Sequence, residues 1–166
     1  PTDGAGDRDP WIELYFTGAS DLPLNGYYLS DNYANLKQWQ FPPASLINPS
    51  QFMLVWADGE TAETSTAESH TSFRLNPTNG VVALSRDVEG VAQIIDYINY
   101  RDVPSGYSFG AFPDGQGALR LHFYYPTPGG TNNPAPAPVP VFINEWMAAN
   151  TRTLADPADG DFEDWF

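Results

Sequence analysis

Short segments rich in aromatic and β-branched residues recur along this chain, and turn signals separate them. The turns are Asn25-Gly26, Asp58-Gly59, Asn79-Gly80, Glu89-Gly90 and Asp114-Gly115. "WIELYF" sets Ile12, Leu14 and Phe16 on one face and Trp11, Glu13 and Tyr15 on the other. "KQWQF" alternates Lys37, Trp39 and Phe41 with glutamines, and "FMLVWA" is apolar on both faces, as a central strand must be. "VVALS", "AQIIDYINY", "YSFGAF" and "LRLHFYY" complete the set. Only Thr61 to Ser69 is rich in helix formers, and its Thr and Ser content argues against a stable helix. Many short strands, Gly turns and almost no helix predict an all-β chain folded as an antiparallel β-sandwich.

Composition narrows the work such a chain can do. The formal charge is −14, with one Lys and six Arg. No basic stripe exists to release counterions from a phosphate backbone, so nucleic acid and anionic lipid are not expected partners. The apolar runs are far too short for membrane insertion by a helix. No basic segment leading into an apolar one opens the chain, so no signal peptide is expected. Cysteine is absent, which excludes disulfides, thiolate metal sites and Cys nucleophiles. Abundant Asn, Thr, Gly, Pro and Asp with a single Lys lean towards an exported bacterial protein.

The character changes at "TPGGTNNPAPAPVPV", Thr127 to Val141, which holds five prolines and no charge and reads as an extended linker. Beyond it "VFINEWMAAN" reads as a strand, with Val141, Ile143 and Glu145 opposite Phe142, Asn144 and Trp146. The chain then closes on "GDFEDWF", which repeats the pattern of "GDRDPWI" at Gly6 to Ile12. Both read Gly, Asp, any residue, acid, any residue, Trp, apolar, and Trp165 falls 154 residues after Trp11 (165 − 11). The expected organisation is a body over 1–133, a Pro/Ala linker over 134–140, and the opening of a following copy over 141–166.

In their order these segments resemble the lamin-tail domain family in its bacterial extracellular form. Members of that family open with a strand like "VFINEWMAAN", pass through a turn like "ADPADGDFEDW" and enter a strand like "WIELY". "WIELYFTGASDLPLNGYYLSDN" resembles the second and third strands, and "KQWQFP", "MLVWADG" and "SHTSFRL" resemble the middle. "SFGAFPDGQGA" and "YYPTPGGTNN" resemble the last hairpin and the exit, so the resemblance runs over nearly the whole chain. It implies an immunoglobulin-like sandwich. Here, though, the opening strand stands at the far end, as in a tandem array cut out of phase. A body without its first strand leaves an open sheet edge. Val141 to Met147 is expected to fill that gap, in its own chain first or in a neighbour by strand swap. The eight residues from Asn133 span about 25 Å when extended, enough for return to the same domain.

Catalysis finds no support in the residues, and the chain is not expected to be an enzyme. His70, in "ESHTSF", reads as a hydrogen-bonded strand-end residue, and His122 as a half-exposed sheet residue. No Gly-x-Ser-x-Gly elbow, phosphate loop or His-Glu-x-x-His pair occurs. No cofactor is required. The chemical candidate is Ca²⁺ at Asp156, Asp159, Asp161, Glu163 and Asp164, with Asp3, Asp7 and Asp9 as a shorter echo. Hard oxygens around a Gly turn suit that ion. The competing reading is an Asp/Gly turn whose carboxylates cap backbone N–H groups and face water. Trp11, Trp39 and Trp56 read as core, whereas Tyr33, Tyr107, Phe109 and Phe112 sit by Gly-rich turns and are the candidates for a binding surface.

The expected work is therefore scaffolding, adhesion or targeting of attached domains, outside or on the surface of a bacterial cell. The partners are other protein domains, neighbouring repeats or strand-swapped copies. The alternative is a glycan- or substrate-binding accessory module of a secreted hydrolase or nuclease. The nuclear role of the family's animal members is not carried over, since no heptad rod and no basic surface is present.

Overall fold

The computed structural model describes residues 1–165. They form two units, Pro1–Pro136 and the residues from Ala137 on.

The first unit is built from ten strands: β1 (Trp11–Tyr15), β2 (Leu22–Pro23), β3 (Tyr27–Ser30), β4 (Trp39–Gln40), β5 (Leu46–Ile47), β6 (Phe52–Trp56), β7 (Asn79–Val88), β8 (Val91–Arg101), β9 (Ser108–Ala111) and β10 (Arg120–Phe123). All their pairings are antiparallel: β1 with β6, β2 with β5, β9 with β10, and a four-stranded sheet in the order β4-β3-β7-β8. The fold is an immunoglobulin-like antiparallel β-sandwich. Its only helical piece among the described residues is a 3-10 turn at Thr61–Glu63, within the segment whose Thr and Ser content argued against a helix.

Period-two alternation sends Ile12 of β1 and Val55 of β6 inward, where they meet Leu29 of β3 and Trp39 of β4. Leu29 and Val55 are wholly buried, each worth about 1.5–3 kcal/mol of apolar burial. Trp39 and Phe41, two residues apart on one face, pack edge to face at 4.9 Å. The hydroxyls buried among them are satisfied: Ser30 donates to the Asn32 carbonyl at 2.8 Å, and Ser85 to the Leu36 carbonyl at 2.6 Å. "KQWQF" forms a shorter strand than its alternation suggests, because Lys37 swings out to pair with Asp87 and the Gly90 carbonyl.

Turn chemistry explains the longest hairpin. Val88 pairs with Val91, and the two residues between them, Glu89 and Gly90, both have positive φ, 53° and 89°. That is the mirror-image turn whose twist suits a two-residue hairpin. Asn79-Gly80 departs from expectation: it opens β7 instead of forming a turn. Asn76 makes the turn, its Oδ1 accepting from the Thr78 N–H at 2.9 Å. Gly80 is small for another reason. A Cβ there would lie 2.4 Å from the Tyr100 hydroxyl, which donates to the Asn76 carbonyl at 2.8 Å.

The proline-rich stretch is tied down over its first half. Tyr125 bridges Asn133, and the Asn132 amide donates to the Ala111 carbonyl at 2.9 Å. In the second unit, the strand expected over 141–147 is not formed. Phe142 to Trp146 lie in no ladder and exchange no backbone hydrogen bond among the described residues. The reason is physical: one strand cannot satisfy its own N–H and C=O groups, and Pro138 and Pro140 just before it supply no donors. Phe142, Ile143 and Trp146 are 84%, 85% and 68% exposed.

Candidate functional site

Two features of the first unit define candidate sites. The first is the outer edge of β1. The Pro10 carbonyl accepts from the Ala57 N–H at 2.7 Å, and Phe16 donates to the Gln51 carbonyl at 3.1 Å and accepts from Ser50 at 2.9 Å. Strand alternation then directs the peptide groups of Ile12 and Leu14 to β6, and those of Trp11, Glu13 and Tyr15 away from it. No strand pairs on that side among the described residues. A cavity of about 2070 Å³ runs through this unit, and its lining includes every residue of β1 together with Leu29, Val82, Leu84 and Phe123. Glu13 stands in mid-edge, its carboxylate accepting from the Gly129 N–H. Burial raises its pKa above the ordinary Glu value, the Gly129 bond lowers it, and the nearby Asp114 charge raises it again.

The second unit contains a fragment of the pairing that β1 lacks. Met147 donates to the Trp165 carbonyl at 2.9 Å, and Trp165 donates back to Met147 at 3.0 Å. Trp165 is the residue that matches Trp11 in the sequence repeat. The turns before the two tryptophans also correspond. Asp3 donates to the Asp7 carbonyl and accepts from Gly6, at 3.1 and 3.2 Å. Asp156 donates to Asp161 and accepts from Gly160, at 2.7 and 2.8 Å, in a loop one residue longer. Gly6 and Gly160 share positive φ, 98° and 83°.

The second feature is acidic. Asp3 Oδ1 accepts from the N–H groups of Gly6 and Asp7, both at 2.8 Å, while its Oδ2 is buried and meets no donor. Asp58, just beyond β6, accepts from the Glu60 N–H at 2.9 Å and lies 2.7 Å from His70 Nδ1. Asp9 pairs with Arg74. Asp3, Asp9 and Asp58 each place an oxygen within 4.8 Å of the others, as do Asp7, Asp9 and Glu60. Asp3 and Glu63 likewise meet a ring nitrogen of His70. The crowding shows at Glu63, whose pKa is raised by lost hydration, by the charges of Glu60 and Asp3, and, against the pull of His70, by Asp7. Asp3, Asp7 and Asp9 were visible in the sequence as an acidic turn. Asp58, Glu60, Glu63 and His70 join them only through the fold.

The five carboxylates of the C-terminal turn are arranged differently. Asp156 Oδ1 caps the Ala158 N–H at 2.7 Å, Asp159 Oδ1 caps Asp161 at 3.0 Å, and Asp164 receives the Asn150 N–H at 3.4 Å. Glu163 supplies its carbonyl to the Asn150 amide at 2.9 Å. Among the described residues none of the five belongs to a converging group of three ligands.

The four aromatic candidates do not form one cluster of ring contacts. Tyr33 packs on Tyr97 at 6.2 Å and donates to Asn99 at 2.7 Å. Tyr107 meets Tyr124 edge to face at 5.3 Å, Tyr124 meets Tyr125 edge to face at 4.7 Å, and Phe109 packs on His122 at 5.0 Å. Phe112 lies just past β9, its N–H donating to the Leu119 carbonyl at 3.0 Å. Of the three core tryptophans, Trp39 and Trp56 are buried and Trp11 is half-buried on the edge strand. His70 is buried against Asp58, with its ring stacked on Trp56.

No curated protein and no solved structure matches the chain. The family model described as Lamin Tail Domain matches residues 1–102, from the acidic turn to the end of β8. The β9–β10 hairpin and the segment after it, similar to the family by motif, lie beyond the matched residues. With well over half of its length matched, through the whole four-stranded sheet and the open-edged pair β1–β6, the chain belongs to the lamin tail domain family.

Proposed function

We propose that this domain is a non-catalytic assembly module that links copies or repeats by accepting a strand at β1. The occupant is Val141–Met147 of a second copy. One observation carries the reading: the mutual Met147–Trp165 hydrogen bonds. Carried over to Trp11, whose N–H and C=O point the same unoccupied way, that pair fixes the register of the incoming strand. Trp146 falls opposite Ile12, Asn144 opposite Leu14, and Phe142 opposite Phe16. Trp146 and Phe142 then enter the cavity that β1 lines, which removes from water two side chains now largely exposed. In such an array the module spaces or anchors attached domains, and the composition favours an array outside a bacterial cell.

Sedimentation of the full chain over a wide concentration range tests this. Reversible self-association is expected, and it should be lost in Phe142→Ser/Trp146→Ser. A monomer at every concentration would overturn the reading.

A second reading, glycan binding by an accessory module, rests on the partly exposed edge-to-face cluster of Tyr107, Tyr124 and Tyr125. Glycan-array binding lost in Phe109→Ala or Phe112→Ala, with self-association unaffected, would favour it.

A further inference from the structure

We infer that Asp3, Asp9 and Asp58 form a calcium site that clamps the N-terminal turn onto the end of β6. The argument begins with a cost. Asp3 is 8% exposed, and its Oδ2 is sealed from solvent without a donor. A buried carboxylate oxygen with no partner is expensive unless something positive meets it. Oxygens of Asp9 and Asp58 come within 4.8 Å of an oxygen of the Asp3 carboxylate, as do a carboxylate oxygen of Glu63 and a ring nitrogen of His70.

Charge selects the valence. The three carboxylates carry three negative charges, and Arg74 offsets one through Asp9. Two remain on the three ligands, and the carboxylates of Asp7, Glu60 and Glu63 add to the negative excess around them, which favours a divalent over a monovalent cation. Ligand type selects the ion. The donors are all hard oxygens on an irregular turn, with the carboxylates of Glu60, Glu63 and Asp7 at the rim. Calcium takes six to eight such oxygens in flexible geometry, water completing the set. Zinc would call on His70, but its Nδ1 is engaged by Asp58 and its Nε2 faces Glu68 at 3.9 Å.

The consequence is structural. Asp3 and Asp9 lie on the turn that leads into β1, and Asp58 leaves β6, so the ion ties the entry of one strand to the exit of its partner. It also relieves the repulsion that these acids exert on one another. This site is separate from the C-terminal acidic turn and does not depend on strand exchange.

The test uses the full chain stripped with chelator and titrated with CaCl₂ by calorimetry and thermal melting. Saturable binding is expected, with Tm rising by about 5–10 °C at a hundredfold excess over Kd. Asp3→Asn keeps an oxygen for the Gly6 and Asp7 N–H groups but removes the charge, and should lower affinity at least tenfold. Asp9→Asn is the second variant should the first fold poorly. Asp159→Asn/Asp161→Asn should leave binding unchanged. In the unmodified chain, Tb³⁺ luminescence sensitised by Trp56, whose ring stacks on His70 at 6.4 Å, should appear and be displaced by Ca²⁺. No heat and no Tm change at millimolar Ca²⁺ would overturn the inference. So would a response lost in the Asp159/Asp161 variant and kept in Asp3→Asn, or a response to Zn²⁺ without one to Ca²⁺.

Discussion

His70 and Asp58 are joined by a 2.7 Å hydrogen bond with both side chains almost entirely out of water. The bond fastens the residues just after β6 to the segment that carries His70. Trp56 donates to the Ser69 carbonyl at 2.8 Å and accepts from Thr71 at 2.8 Å, so His70 is held parallel to the end of that strand. The pair acts as an internal rivet.

Removing one side of the rivet strands the other. His70→Ala leaves the Asp58 carboxylate buried with one acceptor oxygen unmet and should cost about 3 kcal/mol in urea unfolding. Asp58→Asn keeps an acceptor for the Glu60 N–H and should cost less, about 1–3 kcal/mol. Trp56 fluorescence should change in both variants before global unfolding.

Lys37 supplies the second test. Asp87 has its pKa lowered by the Lys37 hydrogen bond first and the Gly90 N–H next. A carboxyl lowered by folding contributes stability above its ordinary value and loses it as pH falls through the folded one. NMR titration should therefore find Asp87 ionised at a pH where a free Asp is half protonated. Lys37→Met should return it most of the way, and an unchanged titration would refute the pairing.

Glu13 runs in the opposite direction. Its pKa is raised chiefly by burial, so its contribution is present below the ordinary Glu value and lost as pH rises through the folded one. In the proposed register Glu145 of a second copy lies directly opposite, and facing like charges weaken a strand pair. Self-association should tighten as pH drops from 7 towards 5. Glu145→Gln should strengthen it about two- to fivefold at pH 7, a difference that sedimentation resolves.

Gly80 offers a purely steric test. Gly80→Ala places a methyl against the Tyr100 ring, which must move and give up its bond to the Asn76 carbonyl. A loss of about 1–2 kcal/mol is expected, and Gly80→Ala/Tyr100→Phe should cost less than the two changes summed.

The alternation of Ile12, Leu14 and Phe16 against Trp11, Glu13 and Tyr15 was readable because a strand with one buried face writes its geometry into the sequence. The same holds for Trp39 with Phe41 and for the two-residue hairpin at Glu89-Gly90. Short strands such as Leu22–Pro23 and Leu46–Ile47 left no period to read, and were seen only as part of longer stretches or not at all. Asn79-Gly80 misled because the pair normally makes a turn, whereas here an aromatic ring needs the space. The strand at Val141–Met147 was legible as a pattern, but a pattern becomes a strand only when a partner meets it. The acidic cluster was half visible. Asp3, Asp7 and Asp9 are neighbours in sequence, while Asp58 and His70 are brought to them by the β1–β6 pairing.

The bare rim of β1 also bears on how an array would respond to pulling. Were neighbours joined by proline hinges alone, tension would stretch the hinges and leave each body to its own strength. With a borrowed strand seated beside β1, tension along the array would act in shear on several backbone bonds at once. Such a junction would yield abruptly at high force instead of creeping.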